Sequence, residues 1–168
     1  MKLRTIQASA VKSIFEVLKD IINDVNVYFD SNGIRILALD TARVALVHMF
    51  LDANNFEEYE CSTPVIAGMN MANTYKLLKS ITNHDTLEMA ISGNEVIELV
   101  IQNQAKKSSS KFTLKLLDIN EDILESPDLE TNVITTLSSV DFQRICRDMG
   151  NLSNEIDIFR DGDKLELS

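Results

Sequence analysis

The sequence is poor in the residues that break, staple or anchor a chain, and each scarcity closes off a class of protein. Five Gly and two Pro in 168 residues, beside 45% hydrophobic residues, exclude a disordered chain and point to one or two small folded domains. The two Cys, Cys61 and Cys146, stand far apart with no CxxC or Cys/His grouping. Neither a disulfide framework nor a zinc site is expected, and a reducing compartment is the natural setting. No apolar run approaches the roughly 18 residues a membrane span requires, and the N-terminal stretch MKLRTIQASAVKSIFEVLKD is charged and amphipathic. The sequence thus gives no membrane segment and no secretory signal.

Catalytic signatures are missing as well. There is no Gly-rich phosphate loop, no HExxH and no GxSxG. Of the two His, His48 falls in an expected strand, where it reads as a half-buried strand residue, and His84 falls in a turn. Glu57-Glu58 lacks the converging partners of a general acid–base pair and reads as a solvated edge. No catalytic residue, metal ligand or cofactor is expected, and an enzyme is the least supported class.

What is present is strong periodicity. Val11, Ile14, Phe15, Leu18, Ile21 and Ile22 recur at helical spacing with Ser9 as the expected N-cap, predicting an amphipathic helix over residues 9–22. VNVYFD (25–30) and GIRILAL (33–39), joined by Ser31-Asn32-Gly33, form a hairpin pattern with Gly where positive φ is needed. Further strands are expected at 43–51, 56–61, 64–69, 86–92, 95–102 and 110–117, with a second helix over 69–81. After Leu117, LLDINEDILESP (116–127) reads as an extended linker because of its charge and Pro127. Residues 138–167 then restart the opening order, with a helix whose stripe is Phe142, Ile145, Cys146 and Met149, followed by two strands around Gly162. A shift of 128 residues lays Lys19-Asp20 on Arg147-Asp148, and one residue more lays Gly33 on Gly162, as an internal repeat would. The second copy is short, so its apolar stripe is expected to be poorly covered and the chain to be truncated or unusually short.

The net charge of −10 argues at first against a nucleic-acid partner. Its distribution changes that, because Asp118, Glu121, Asp122, Glu125, Asp128 and Glu130 fall in one stretch without Lys or Arg and supply −6 of the total. Six basic residues meanwhile sit on three helices: Lys12 and Lys19, seven apart, Lys76 and Lys79, three apart, and Arg144 and Arg147, again three apart. By spacing alone these are either solubilising charges, some paired with Glu16, Asp20 or Asp148, or a surface that tracks phosphates without reading bases.

The stretches FEVLKDIINDVNVYFDSNGIRILALDTARVALVHM (15–49), MNMANTYKLLKSITNHDTLEM (69–89), KFTLKLLDINED (111–122) and DFQRICRDM (141–149) resemble the eukaryotic and viral proliferating cell nuclear antigen family. The resemblance runs almost without gaps along the whole chain. It implies an α+β sliding-clamp (DNA clamp) fold, antiparallel sheets with helices on one face, with residues 1–117 as a complete first domain, 118–131 as the interdomain connector and 132–168 as the N-terminal part of a second. It also implies a processivity factor in which three subunits form a homotrimeric ring around duplex DNA, binding it without regard to sequence, with helices lining the hole. The partners so implied are DNA polymerase and other replication and repair proteins, together with a clamp-loader ATPase, in the nucleus or at a site of viral DNA replication.

Site residues follow from the same resemblance. Lys12, Lys19, Lys76, Lys79, Arg144 and Arg147 match hole-lining positions, with Ser13 departing from a frequent second Lys. A pocket for a partner peptide ending in paired aromatics is implied at Leu39, Asp40, Arg43, Val44, Ile119, Ile123, Leu124 and Pro127. Here Arg43 stands in place of the usual His, and Glu125-Ser126 in place of Gly-Ile. The subunit interface is implied at Leu77, Phe112 and Leu114, along an edge strand over Lys111–Leu117. Its counterpart strand in the family begins a few residues beyond Ser168, so this chain as given is not expected to close the ring. A subunit of a heterotrimeric checkpoint clamp, and a standalone peptide-binding module derived from a clamp, are the alternative readings.

Overall fold

The computed structural model describes residues 1–93, 95–120, 133–153, 155–162 and 164–168, so Ile123, Leu124 and Pro127 of the expected peptide pocket lie outside the described residues. The chain forms two compact units, Met1–Pro127 and Asp128–Ser168.

Among the described residues the first unit has nine strands, two α-helices and a 3-10 turn at Ala53–Asn55: β1 (Lys2–Thr5), α1 (Ala8–Ile21), β2 (Asp24–Asp30), β3 (Gly33–Leu39), β4 (Leu46–Asp52), β5 (Glu58–Glu60), β6 (Val65–Asn70), α2 (Met71–Leu78), β7 (Asp85–Ser92), β8 (Val96–Asn103) and β9 (Ser108–Lys115). All strand pairings are antiparallel and give a five-stranded sheet, β5-β1-β7-β8-β9, and a four-stranded sheet, β4-β3-β2-β6. Alternation decides which side of each sheet is dry. Val25, Val27 and Phe29 of β2, Ile34, Ile36 and Ala38 of β3, and Leu87, Met89 and Ile91 of β7 are all buried. Helix α1 closes this core with Ala8, Val11, Phe15 and Leu18, and α2 does so with Met71, Thr74 and Leu78. The two helices pack side by side, α1 against β7 and α2 against β6. Burying each large aliphatic or aromatic side chain contributes roughly 1.5–3 kcal/mol, so the pair of helices is held mainly by these stripes.

Local differences from the sequence reading have local causes. Strand β1 was not expected, because four residues (KLRT) are too few to show an alternation. Helix α1 starts at Ala8, with Gln7 at the cap position making no side-chain cap bond. Ser9 is therefore inside the helix, and Thr5 Oγ1 accepts the Gln7 N–H instead, at 2.9 Å. Helix α2 is shorter than 69–81 because Met69 and Asn70 complete β6, and Asn70 Oδ1 caps the helix by accepting the Asn73 N–H at 2.8 Å. Strand β4 begins at Leu46 and not at Arg43, since Asp40 folds residues 40–45 into a turn. His48 is exposed on β4 where a half-buried position was expected.

The β2–β3 turn bears out the requirement for Gly. Asp30 Oδ1 accepts the N–H groups of Asn32 and Gly33, at 2.7 and 3.2 Å, and Gly33 has φ +148°. A Cβ there would stand 2.0 Å from the Leu51 carbonyl oxygen. Tyr59 locks the same turn by donating its hydroxyl to the Gly33 carbonyl at 2.7 Å, and burial raises the phenol's pKa well above the ordinary value.

The second unit has a helix, α3 (Ser139–Gly150), and a hairpin, β10 (Ile158–Asp161) with β11 (Lys164–Leu167). Ser138 caps α3 by accepting the Asp141 N–H at 3.2 Å. The order of helix then hairpin, with a positive-φ Gly at the turn (Gly162, φ +56°), parallels α1-β2-β3. No described α3 residue is buried, and Phe142 is 46% exposed, as expected for a unit this small.

Candidate nucleic-acid and partner interfaces

The helices place the six expected basic residues in unequal situations. Lys76 and Lys79 are exposed at the end of α2, with Lys76 Nζ 3.4 Å from Asn73 Oδ1. Arg144 and Arg147 are exposed on α3, Arg144 lying 3.4 Å from Asp141 one turn earlier. Lys19 is half-buried, its ammonium 2.5 Å from Asp20 Oδ1 and 5.3 Å from the centre of the Tyr75 ring. Tyr75 in turn donates to Glu16 Oε1 at 2.7 Å, and that bond raises the phenol's pKa.

Lys12 is half-buried, and its ammonium donates to the Ile81 carbonyl at 2.8 Å, beyond the C-terminal end of α2. The Ile81 carbonyl lies in the turn after α2, and the ammonium gives it a charge-assisted hydrogen bond. Spacing along α1 could not show this, because the partner comes from 69 residues away.

The described residues of the expected peptide pocket divide between the turn after β3 and the stretch after β9. Leu39 ends β3 half-buried, Val44 is 87% exposed, and Arg43 holds φ +57°, a left-handed conformation costly for a non-Gly residue. Asp40 fixes the turn by accepting the N–H groups of Ala45 and Val44, at 2.9 and 2.7 Å, and those bonds hold its carboxyl below the usual carboxylate range.

Ile119 is half-buried, and its carbonyl accepts the Asn26 side-chain amide at 3.1 Å. The chain reaches it by leaving β9 and bridging to β6, where Leu117 N–H donates to the Gly68 carbonyl at 2.8 Å. A Cβ at Gly68 would lie 2.2 Å from the Leu117 carbonyl oxygen. Asn26 and Gly68, which hold the chain just after β9, are positions that sequence reasoning missed. The signal was a lone Gly inside the strand VIAGMN, which marks a close backbone approach. Asn26, Tyr28, Ile66 and Gly68 on one side, with Lys115 and Leu117–Ile119 on the other, bound a groove of ≈ 590 Å³.

Of the expected interface residues, Leu77, Phe112 and Leu114 are half-buried against the core, and β9 is a terminal strand of its sheet. Among the described residues no cluster of three metal-ligating side chains occurs, and no helix is long and apolar enough to cross a membrane. Both Cys are free thiols, Cys61 buried and Cys146 exposed.

Comparison with known proteins gives one consistent neighbourhood. Residues 1–125 match the family described as proliferating cell nuclear antigen, N-terminal domain. The chain is 41% identical to a probable DNA polymerase sliding clamp 1 of Paramecium bursaria Chlorella virus 1, over 99% of this chain and 64% of that protein. It is 31% identical to the proliferating cell nuclear antigen of Chaetomium thermophilum, over 100% of this chain and 65% of that protein. The chain thus spans about two thirds of the length of the curated relatives it matches.

Proposed function

The chain belongs to the proliferating cell nuclear antigen family, and on that premise we propose that it is a subunit of a DNA sliding clamp, a non-enzymatic processivity factor that encircles duplex DNA and tethers DNA polymerase. The observation that carries this reading is a similarity to sliding clamps running the full length of the chain, joined to exposed Lys76 and Lys79 on a helix that packs beside α1. Lys76, Lys79, Arg144 and Arg147 face the phosphates, with Lys19 as a weaker contributor because Asp20 offsets its charge. Flexible side chains that touch only phosphates bind without sequence preference, and modest affinity suits sliding.

Leu39, Val44 and Ile119, with Ile123, Leu124 and Pro127 from the undescribed stretch, receive the paired aromatics of a partner peptide. Homotrimeric assembly, loading by a separate ATPase and action in the nucleus or at a viral replication site complete the proposal. The test is retention on nicked circular duplex DNA after loading. The assembled clamp is expected to stay on the circle and to leave once the DNA is linearised, and Lys76→Glu with Lys79→Glu is expected to lower retention severalfold. A protein that leaves circular and linear DNA equally fast is not a clamp.

A further inference from the structure

The four-stranded sheet turns one face to the core, where Val27 and Phe29 of β2, Ile34 and Ile36 of β3 and Ala67 of β6 are buried. Alternation sends their neighbours to the opposite face. Strand pairing sets four of these neighbours in one row across the sheet: Phe50 of β4 opposite Arg35 of β3, Arg35 opposite Tyr28 of β2, and Tyr28 opposite Ile66 of β6. Phe50 is 51% exposed and Ile66 55% exposed, with Tyr28 half-buried between them. The outer face of an antiparallel sheet ordinarily carries polar side chains, so an aromatic and aliphatic row there points to a surface that another segment covers.

Arg35 gives the row its chemistry. Its guanidinium carbon lies 5.3 Å from the centre of the Tyr28 ring, and the residue is exposed. Stacking of this kind holds the planar fork in place over the ring. Among the described residues Arg35 forms no ion pair. Asp30 and Asp52, which follow Tyr28 and Phe50 by two residues on the same face, are engaged in turns: Asp30 Oδ1 accepts the N–H groups of Asn32 and Gly33, and Asp52 Oδ1 that of Asn54. At the β6 end, Tyr28 and Ile66 also wall the groove that Lys115, Glu95 and Asp118 line. The charges of that groove are mixed, which leaves Arg35 as the selecting charge of the row.

We propose that this row is a docking strip for an extended segment of a partner protein, whose carboxylate pairs with Arg35 between two apolar side chains seated on Phe50 and Ile66. Charge complementarity names the carboxylate, since a planar guanidinium fixed by stacking is suited to bidentate pairing with one. Geometry sets the spacing. Strands about 4.8 Å apart put Phe50 and Ile66 roughly 14 Å from each other, and in an extended peptide the side chains i, i+2 and i+4 span about 13 Å on one side. An acid at i+2 then falls beside Arg35 and Tyr28, with apolar residues at i and i+4 over the two ends. The strip needs neither a ring nor DNA, so it stands apart from the clamp reading.

Two synthetic peptides test this on the whole chain, Gly-Ser-Phe-Thr-Glu-Thr-Leu-Ser-Gly and the same sequence with Lys in place of Glu. The Glu peptide is expected to bind about fivefold more tightly at low ionic strength and to shift amide resonances of β2, β3, β4 and β6 but not those of β1 and β5. Its advantage is expected to vanish in about 0.5 M salt. Arg35→Gln is expected to equalise the two peptides, and Phe50→Ser to weaken both severalfold. Both substituted residues are exposed, and thermal unfolding checks that each variant folds; the salt arm on the unsubstituted chain decides the matter if Arg35→Gln does not. Equal binding of the two peptides, binding of neither, or a Glu preference that survives high salt or Arg35→Gln overturns the proposal. A concentration-dependent dimer in sedimentation that Phe50→Ser abolishes, without peptide selectivity, also overturns it and gives the face to a second copy.

Discussion

At the scale of single residues, two side chains and one missing side chain shape the face where a partner peptide is proposed to bind. Asp40 holds the 40–45 turn through its bonds from Ala45 and Val44, and this keeps Arg43 in its left-handed conformation. Because those bonds lower the carboxyl's pKa in the folded protein, their contribution is present above the unfolded value of 3.8 and is lost as pH falls through the lower folded value. The Val44 and Ala45 amide resonances are therefore expected to be unchanged between neutral pH and pH 4, and to shift only below it, in an NMR titration. A midpoint above 3.8 would contradict the assignment of cause. Gly68 acts by absence. Gly68→Ala puts a Cβ against the Leu117 carbonyl, and the expected cost is about 1–3 kcal/mol in urea unfolding, with weaker peptide binding as the connector's start is displaced.

At the scale of elements, the packing of α1 beside α2 separates lysines that look equivalent in the sequence. Lys12 is tied to the Ile81 carbonyl, whereas Lys76 and Lys79 are exposed. Lys12→Ala is expected to cost about 1.5–3 kcal/mol of stability, the range for a hydrogen bond to a charged group, while changing DNA retention little. Lys76→Ala is expected to do the reverse. Thermal unfolding and DNA retention, measured on both variants, check this, and parallel losses in both would show that the two lysines share one role. Most of the elements were legible beforehand because their periods are long: the hairpin 25–39, the 14-residue helix and the alternation of β7 and β8 all carry several repeats of 3.6 or 2 residues. Strand β1 and the end of α2 were not, since one is only four residues long and the other is set by the capping amide of Asn70.

At the scale of the whole molecule, an acidic chain is proposed to hold DNA, and its charge layout makes that possible. Association with linear duplex is expected to weaken steeply as salt rises, because each neutralised phosphate contributes a log–log slope of about −0.9. Retention on a closed circle, being topological, is expected to survive salt that abolishes linear binding, and equal salt sensitivity of the two would count against encirclement. The sequence by itself determined the periodic elements, the acidic stretch after Leu117, the two-copy order and, through KDIIND, LALD and RICRDM, the family. These properties reside in local pattern and composition, which need no partner to be read. Only the tertiary structure decided that Lys12 ties α1 to the turn after α2, that Asn26 and Gly68 seat the first residues after β9, and that Arg4 stands between Glu58 and Glu88. Each of those rests on atoms brought together from distant parts of the chain, and distance along the chain says nothing about who will be opposite whom.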